Sequence, residues 1–317
     1  MIVVYHPNYL VGSAWLNKMH PFEFDRAIQV AHLLRQELGS EFDTLLRAPK
    51  APATIAQLGA VHDANYLAKV LHSRVVASIV EVHALFWCPR FLMRRWFVNP
   101  SLWCVAGTLV AAREVFKEGL AFNVGGGFHH AKRTWGEGFC LFSDIALAIS
   151  TLRSEGALAP EDPVFYIDLD VHQGNGVSTD FAADPAVRIL DIFNNEIYPF
   201  RDKEGRAGID VSRPLPSDTK DDEYLKTLDD GLEELFAGQP LPKLVIYNAG
   251  TDVFKEDLLG DMKLSHEAVN RRDLTVLEAV RGRGIPMLVL SSGGYSKTSA
   301  RLIADFVLGA YRYEKNR

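Results

Sequence analysis

Four short runs carry side chains able to do acid, base or metal chemistry, each directly after an apolar or β-branched segment. They are Gly125-Gly126-Gly127-Phe128-His129-His130, Asp168-Leu169-Asp170-Val171-His172-Gln173-Gly174-Asn175-Gly176, Ala249-Gly250-Thr251-Asp252 and Ser291-Ser292-Gly293-Gly294-Tyr295. In the second run, alternation along an extended segment places Asp168, Asp170 and His172 on one side, where ligand-type groups converge. A catalytic zinc takes three protein ligands from His, Asp or Glu and keeps a fourth position for water. Asp252 is the natural candidate to complete the set, because the turn before it lets the backbone bend and aim the carboxylate across the sheet edge. His129 and His130 follow three glycines, where the backbone can approach a ligand closely, and either imidazole could bind metal or carry protons. Taken singly, each feature also has a plainer reading. D-x-D-x-H suits a solvated strand end with capping carboxylates, adjacent histidines suit a hydrogen-bonded structural pair, and Tyr295 suits a packed core tyrosine.

The elements that must position these groups alternate between short strands and longer helices, which builds an open, mainly parallel sheet with helices on both faces. Strands are expected at Ile2 to Tyr5, Ala121 to Val124, Val164 to Leu169, Arg188 to Ile192, Leu244 to Asn248 and Pro286 to Ser291. Helices are expected at Phe22 to Leu38, Leu102 to Glu118, Ser143 to Ser154, Asp221 to Phe236, Ser265 to Arg281 and Lys297 to Tyr311. Ligands of such sheets bind beyond the carboxyl ends of the strands, which is where all four runs fall. No repeat, low-complexity tract or Ser/Gly linker divides the 317 residues, so residues 1–317 read as a single domain.

Composition narrows the function classes. A formal charge of -6 leaves no basic excess that demands a nucleic-acid partner, so direct DNA binding is disfavoured. Cys88, Cys104 and Cys140 form no C-x-x-C pair, which argues against a disulfide framework or a cysteine zinc cage and for a reducing, intracellular, cytoplasmic setting. The opening MIVVYHPNYL reads as a first strand rather than a signal peptide. Glu81, His83 and Arg90 break the apolar stretch Val75 to Met93, so no membrane span is expected.

The ordered set GGGFHHA, DLDVHQGNG, AGTD and SGGY resembles the histone deacetylase family, and within it is most similar to the class IV branch through GGGFHH, Gln173, Asn175 and the NAGTD turn. His20-Pro21-Phe22-Glu23, Val61-His62-Asp63 and Tyr66-Leu67 agree with it. The resemblance implies an arginase/deacetylase-like fold and a zinc-dependent hydrolase that removes an acyl group from a lysine side chain in a protein or peptide, or from a similar amine. It implies Asp170, His172 and Asp252 as zinc ligands, His129 and His130 as tandem catalytic histidines and Tyr295 as a hydrogen-bond donor to the transition state. Asp168 would hold His129, Asn175 would orient His130, and Gly138 and Phe139 would line the acyl-lysine tunnel, although Phe139 equally suits ordinary core packing. A structural potassium ion would be held around Asp168, Asp170, His172, Asp191 and Ile192, with a second site around Phe181, Asp184 and Val187. The expected location is intracellular and cytoplasmic, with the nucleus as the alternative in a eukaryotic host, and the sequence does not determine an oligomeric state.

The chain departs from the family pattern at the rim: no acidic residue that would grip a substrate backbone is placed in Val82 to Pro100. That segment either supplies an apolar groove for long acyl chains, as the class IV resemblance suggests, or packs against the core. Three rival readings stand beside the lysine deacylase. An arginase-type metallohydrolase would need more carboxylates than follow His172 and Asp252, an acylpolyamine deacetylase would need an acidic tunnel mouth, and a catalytically dead acyl-lysine binding module would have lost a ligand or the tyrosine.

Overall fold

Strands that are apolar throughout must be covered on both faces, and the architecture follows from that. The computed structural model describes residues 1–12, 23–200 and 202–317. Among them, β1 (Ile2–Val4), β2 (Leu46–Arg47), β3 (Leu120–Asn123), β4 (Val164–Asp168), β5 (Val187–Asn194), β6 (Val211–Leu215), β7 (Leu244–Asn248) and β8 (Met287–Leu290) form one sheet. Its order is β2-β1-β3-β8-β7-β4-β5-β6, and every neighbouring pair is parallel.

Successive residues of each central strand enter opposite cores. Phe165, Ile167, Val245, Tyr247 and Val289 pack beneath Arg26–Leu38, Asp221–Phe236, His266–Arg281 and Ser299–Lys315. Val164, Tyr166, Ile246 and Leu288 pack beneath Asn99–Glu118 and Asp144–Ser154. The outer side of Asn99–Glu118 is also buried, by a further apolar cluster that includes Leu58, Leu67, Val76, Met93 and Phe97. That cluster is built from short helices between Ile55 and Val98 which the periodicity does not reveal. Among the described residues, no helix is long and apolar enough to cross a membrane.

The helix expected from Phe22 begins at Arg26, and His20, Pro21 and Phe22 lie outside the described residues. Two strands go unrecognised in the sequence. β2 has two residues, and β6 contains Pro214, which an edge strand accommodates because one side of its ladder has no partner.

Candidate active site

The four chemistry-bearing runs follow β3, β4, β7 and β8, and the order β3-β8-β7-β4 makes these strands neighbours in the middle of the sheet. Their last residues are also in register, with Asn123 opposite Leu290, Leu290 opposite Asn248 and Asn248 opposite Asp168. Runs separated by many residues therefore leave the sheet side by side.

The local route differs from simple alternation. β4 stops at Asp168, whose Oδ1 accepts the Asp170 N–H at 3.2 Å, and Asp170 Oδ1 in turn accepts the His172 N–H at 3.0 Å. These side-chain turns aim Asp170 and His172 at Asp252, whereas Asp168 points to His129. Asp170, His172 and Asp252 are buried, and ligand-type atoms of all three lie within 4.8 Å of one another. His172 Nδ1 stands 3.1 Å from Asp170 Oδ1 and 3.3 Å from Asp252 Oδ2, and the latter oxygen makes no hydrogen bond. Zinc bonds of about 2.1 Å in a tetrahedron separate neighbouring ligand atoms by roughly 3.4 Å, so these two edges fit zinc.

Each carboxylate is held by its other oxygen. Asp170 Oδ2 accepts the Ser292 hydroxyl and the Gly293 N–H, both at 2.8 Å, and Asp252 Oδ1 accepts the Val171 N–H at 2.8 Å. Behind them, buried Arg272 donates to the carbonyls of Leu169 (3.0 Å) and Gly250 (2.7 Å), tying the ends of β4 and β7 together. Burial alone would push the His172 imidazole down, but the Asp170 and Asp252 carboxylates outweigh it and raise it to about 10 in the metal-free chain. Two buried carboxylates thus gather positive charge, which a divalent cation would supply.

The glycine loop after β3 is held by Asp144, which accepts the N–H groups of Gly127 and Phe128, both at 2.9 Å. Beyond it, the His129 carbonyl accepts the N–H groups of Gly176 (2.9 Å) and Val177 (3.1 Å), at the start of helix Asn175–Phe181. His129 Nδ1 lies 2.9 Å from Asp168 Oδ2. Burial lowers the basicity of that ring, but Asp168 and then Asp170 overcome this and lift it to about 9. His130 has the opposite balance: burial, followed by positive charge on His129 and His172, pushes it well below the usual imidazole range.

The Asn175 amide fixes how His130 carries its proton. Nδ2 of Asn175 donates to Glu137 Oε1 (2.7 Å) and Asp202 Oδ2 (2.9 Å), and Lys132 bridges the same two carboxylates at 3.1 and 3.0 Å. Its carbonyl oxygen must then be the atom facing His130 Nδ1 at 2.8 Å, so Nδ1 is the donor and Nε2 keeps its lone pair.

Tyr295 is buried, its ring 6.3 Å from that of His172 and 5.8 Å from Phe139, and burial followed by Asp170 and Asp252 keeps its hydroxyl firmly protonated. Its backbone N–H donates to Asp257 at 2.6 Å. Phe139 takes a left-handed φ of 66°, with its N–H donated to Ile79 at 3.0 Å. Gly138 sits against His130: with φ at +51°, an added Cβ would lie 2.3 Å from the ring. The motif residues His62 and Tyr66 brace the same loop, His62 Nε2 accepting from Ser143 N at 2.9 Å and Tyr66 donating to Leu141 at 2.6 Å.

Asp191, paired in register with Asp168, has one buried oxygen without a hydrogen bond, and burial followed by the Asp168 charge pushes its carboxyl well up. Asp144, Glu137, Asp202, Asp257 and Tyr198, whose ring is 5.0 Å from His130, carry no motif signal. Only the glycine-rich loop in front of Ser143-Asp144 hints at the need for a backbone acceptor there. A cavity of about 100 Å³ reaches the histidines and Tyr295, lined on its apolar side by Val11, Phe24, Val82, Phe97, Phe139 and Leu141.

A parallel α/β sheet with a buried Asp-His-Asp cluster and paired histidines at its carboxyl edge is the frame of a hydrolase whose centre could hold a metal. The chain belongs to the histone deacetylase family: the family described as "Histone deacetylase domain" matches residues 20–311. It is 39% identical to a protein of Arabidopsis thaliana named Histone deacetylase 2 over 305 residues, covering 96% of this chain and 77% of that protein. An uncharacterized protein of Picosynechococcus sp. is 31% identical over 301 residues, covering 95% and 94%. The fold also matches the crystal structure of an HDAC homolog from Aquifex aeolicus, with a TM-score of 0.77, 23% identity and coverage of 98% and 83%. Family membership makes the chain a hydrolase of the deacetylase type, cleaving acyl amides.

Proposed function

We propose that the chain is a zinc-dependent lysine deacylase, with Asp170, His172 and Asp252 as the ligands. The observation that carries this reading is the convergence of those three groups beside His129, His130 and Tyr295. When bound, zinc supplies a Lewis acid that polarises the scissile carbonyl and lowers the pKa of water from about 15.7 towards roughly 7. His130, neutral and with Nε2 free of hydrogen, accepts the proton that water gives up and passes it to the departing amine nitrogen. The carbonyl carbon gains a bond to the water oxygen and loses its bond to nitrogen, releasing a carboxylic acid and a free amine. His129 keeps positive charge beside the reaction, held by Asp168, and the Tyr295 hydroxyl donates to the carbonyl oxygen as that atom becomes negative.

Removing such a donor costs about 10²- to 10³-fold in rate. Tyr295→Phe and His130→Ala are each expected to lose at least that much acyl-lysine hydrolysis, and wild-type rates in both would defeat the assignment. Potassium fits the pair Asp168 and Asp191, with the carbonyls of Asp170, His172 and Ile192, because a buried carboxylate oxygen of Asp191 needs a cation or a proton.

The class IV similarity and the apolar cavity wall support a preference for long acyl groups, each buried CH₂ contributing about 0.8 kcal/mol. On one peptide bearing acetyl, octanoyl or myristoyl lysine, activity should rise with chain length and be lost with chelator. A strong acetyl preference would remove the long-chain part alone. A free acylated polyamine is the second reading, favoured by Glu81. This exposed carboxylate sits on left-handed backbone (φ 57°) between Val80 and Val82, which line the cavity, and interacts electrostatically with His172. Glu81→Gln would then lower turnover of an acylated polyamine and spare an acyl-lysine peptide. We read residues 1–317 as one catalytic unit working in a reducing, intracellular setting, in keeping with three free cysteines.

A further inference from the structure

The stretch from Lys69 to Val98 has a charge opposite to that of the whole chain. Lys69, Arg74, Arg90, Arg94 and Arg95 face a single carboxylate, Glu81, in a protein with a net charge of -6. All five cations are exposed, and among the described residues none forms an ion pair with a carboxylate. Two large apolar side chains stand among them: Trp87 is 81% exposed and Phe91 is 70% exposed.

The backbone explains why they share one surface. From Arg90 to Val98 the chain is helical, with Met93, Phe97 and Val98 turned inward and Arg90, Phe91, Arg94 and Arg95 turned outward at helical spacing. Arg74 lies over the Trp87 ring at 4.2 Å from its centroid, and Arg90 reaches the His72 ring, so the preceding helix Ser73–Ile79 is part of the same face. Val80, Val82 and Phe97, on the inner side of this segment, line the active-site cavity.

We propose that this face docks on an anionic lipid bilayer, which would bring the segment that lines the active-site cavity to the membrane surface. Arginines around a solvent-projecting Trp and Phe combine two attractions. The cations gather at acidic headgroups, while the aromatic rings enter the interfacial layer where amphipathic side chains settle. The face lies on the outside of a helix and presents projecting side chains, which suits a broad, deformable lipid surface better than an acidic peptide that needs pockets. The proposal does not depend on the hydrolytic reading, because lipid binding is measured without turnover.

The test is co-sedimentation of the full chain with phosphatidylcholine vesicles, with and without phosphatidylserine, at low and high salt. The wild type should pellet with the phosphatidylserine vesicles alone, and release as salt rises. The triple variant R90E/R94E/R95E should partition at least about 100-fold less, and W87A/F91A should weaken binding while keeping its salt dependence. Both should retain wild-type hydrolysis of a soluble acyl-lysine peptide and the wild-type thermal midpoint, which shows that they fold. Equal pelleting with both kinds of vesicle, unaltered partitioning of the charge-reversed chain, or binding to a polyglutamate peptide without vesicle binding would each overturn the proposal.

Discussion

His130 works under opposing influences, and its protonation is where the site is most open to experiment. Burial and the positive charge on the neighbouring His129 hold it well below the ordinary value of about 6.5. The proposed role as base requires the neutral ring, so kcat/KM should keep its plateau down through pH 6.5 and fall only at lower pH. Asn175→Asp places a carboxylate beside Nδ1, stabilises the charged ring and raises its pKa, so the acid limb should move to higher pH. An acid limb that stays in place would show that position 175 does not govern His130. Replacing the amide's own partners, as in Glu137→Gln with Asp202→Asn, should lower kcat about tenfold at constant KM by letting the amide turn. The histidines and Asn175 stand out in the sequence because they cluster. Glu137 and Asp202 do not, since they reach Asn175 across 38 and 27 residues through loops with no periodic pattern.

At the scale of the element, the strands and long helices that place the site are readable because apolar runs and 3.6-residue spacing are local signals. β7 and the helix Asp221–Phe236 run between the residues expected, and the other expected strands and helices differ at their ends. The short helices between Ile55 and Val98 are not readable, because one or two turns carry too few residues for a period, and their burial comes from contact with Asn99–Glu118. Nor does alternation explain the D-x-D-x-H run, whose geometry comes from side-chain turns beyond β4. The loop at Gly138 provides a direct check. Alanine there must take a left-handed conformation and press on His130. Gly138→Ala is expected to cost about 1 kcal/mol of stability and to reduce kcat by tenfold or more. A variant with wild-type kcat would show that the loop does not position the ring.

For the molecule as a whole, metal binding and folding should be linked, because the three ligands meet only when β4 and β7 are paired. Zinc at 100 times its dissociation constant would add about 2.7 kcal/mol to stability. The thermal midpoint should therefore rise with zinc and fall with chelator, with one zinc per chain by metal analysis. Two manganese ions per chain would favour the arginase-type reading instead.

The position of β8 between β3 and β7 has a consequence for how the protein is made. As the chain leaves the ribosome, the centre of the sheet lacks a strand until residues 287–290 emerge, and Tyr295 appears later still. A nascent chain thus has no complete centre before those residues emerge, and a product stopped before β8 would expose two unpaired strand edges that invite aggregation.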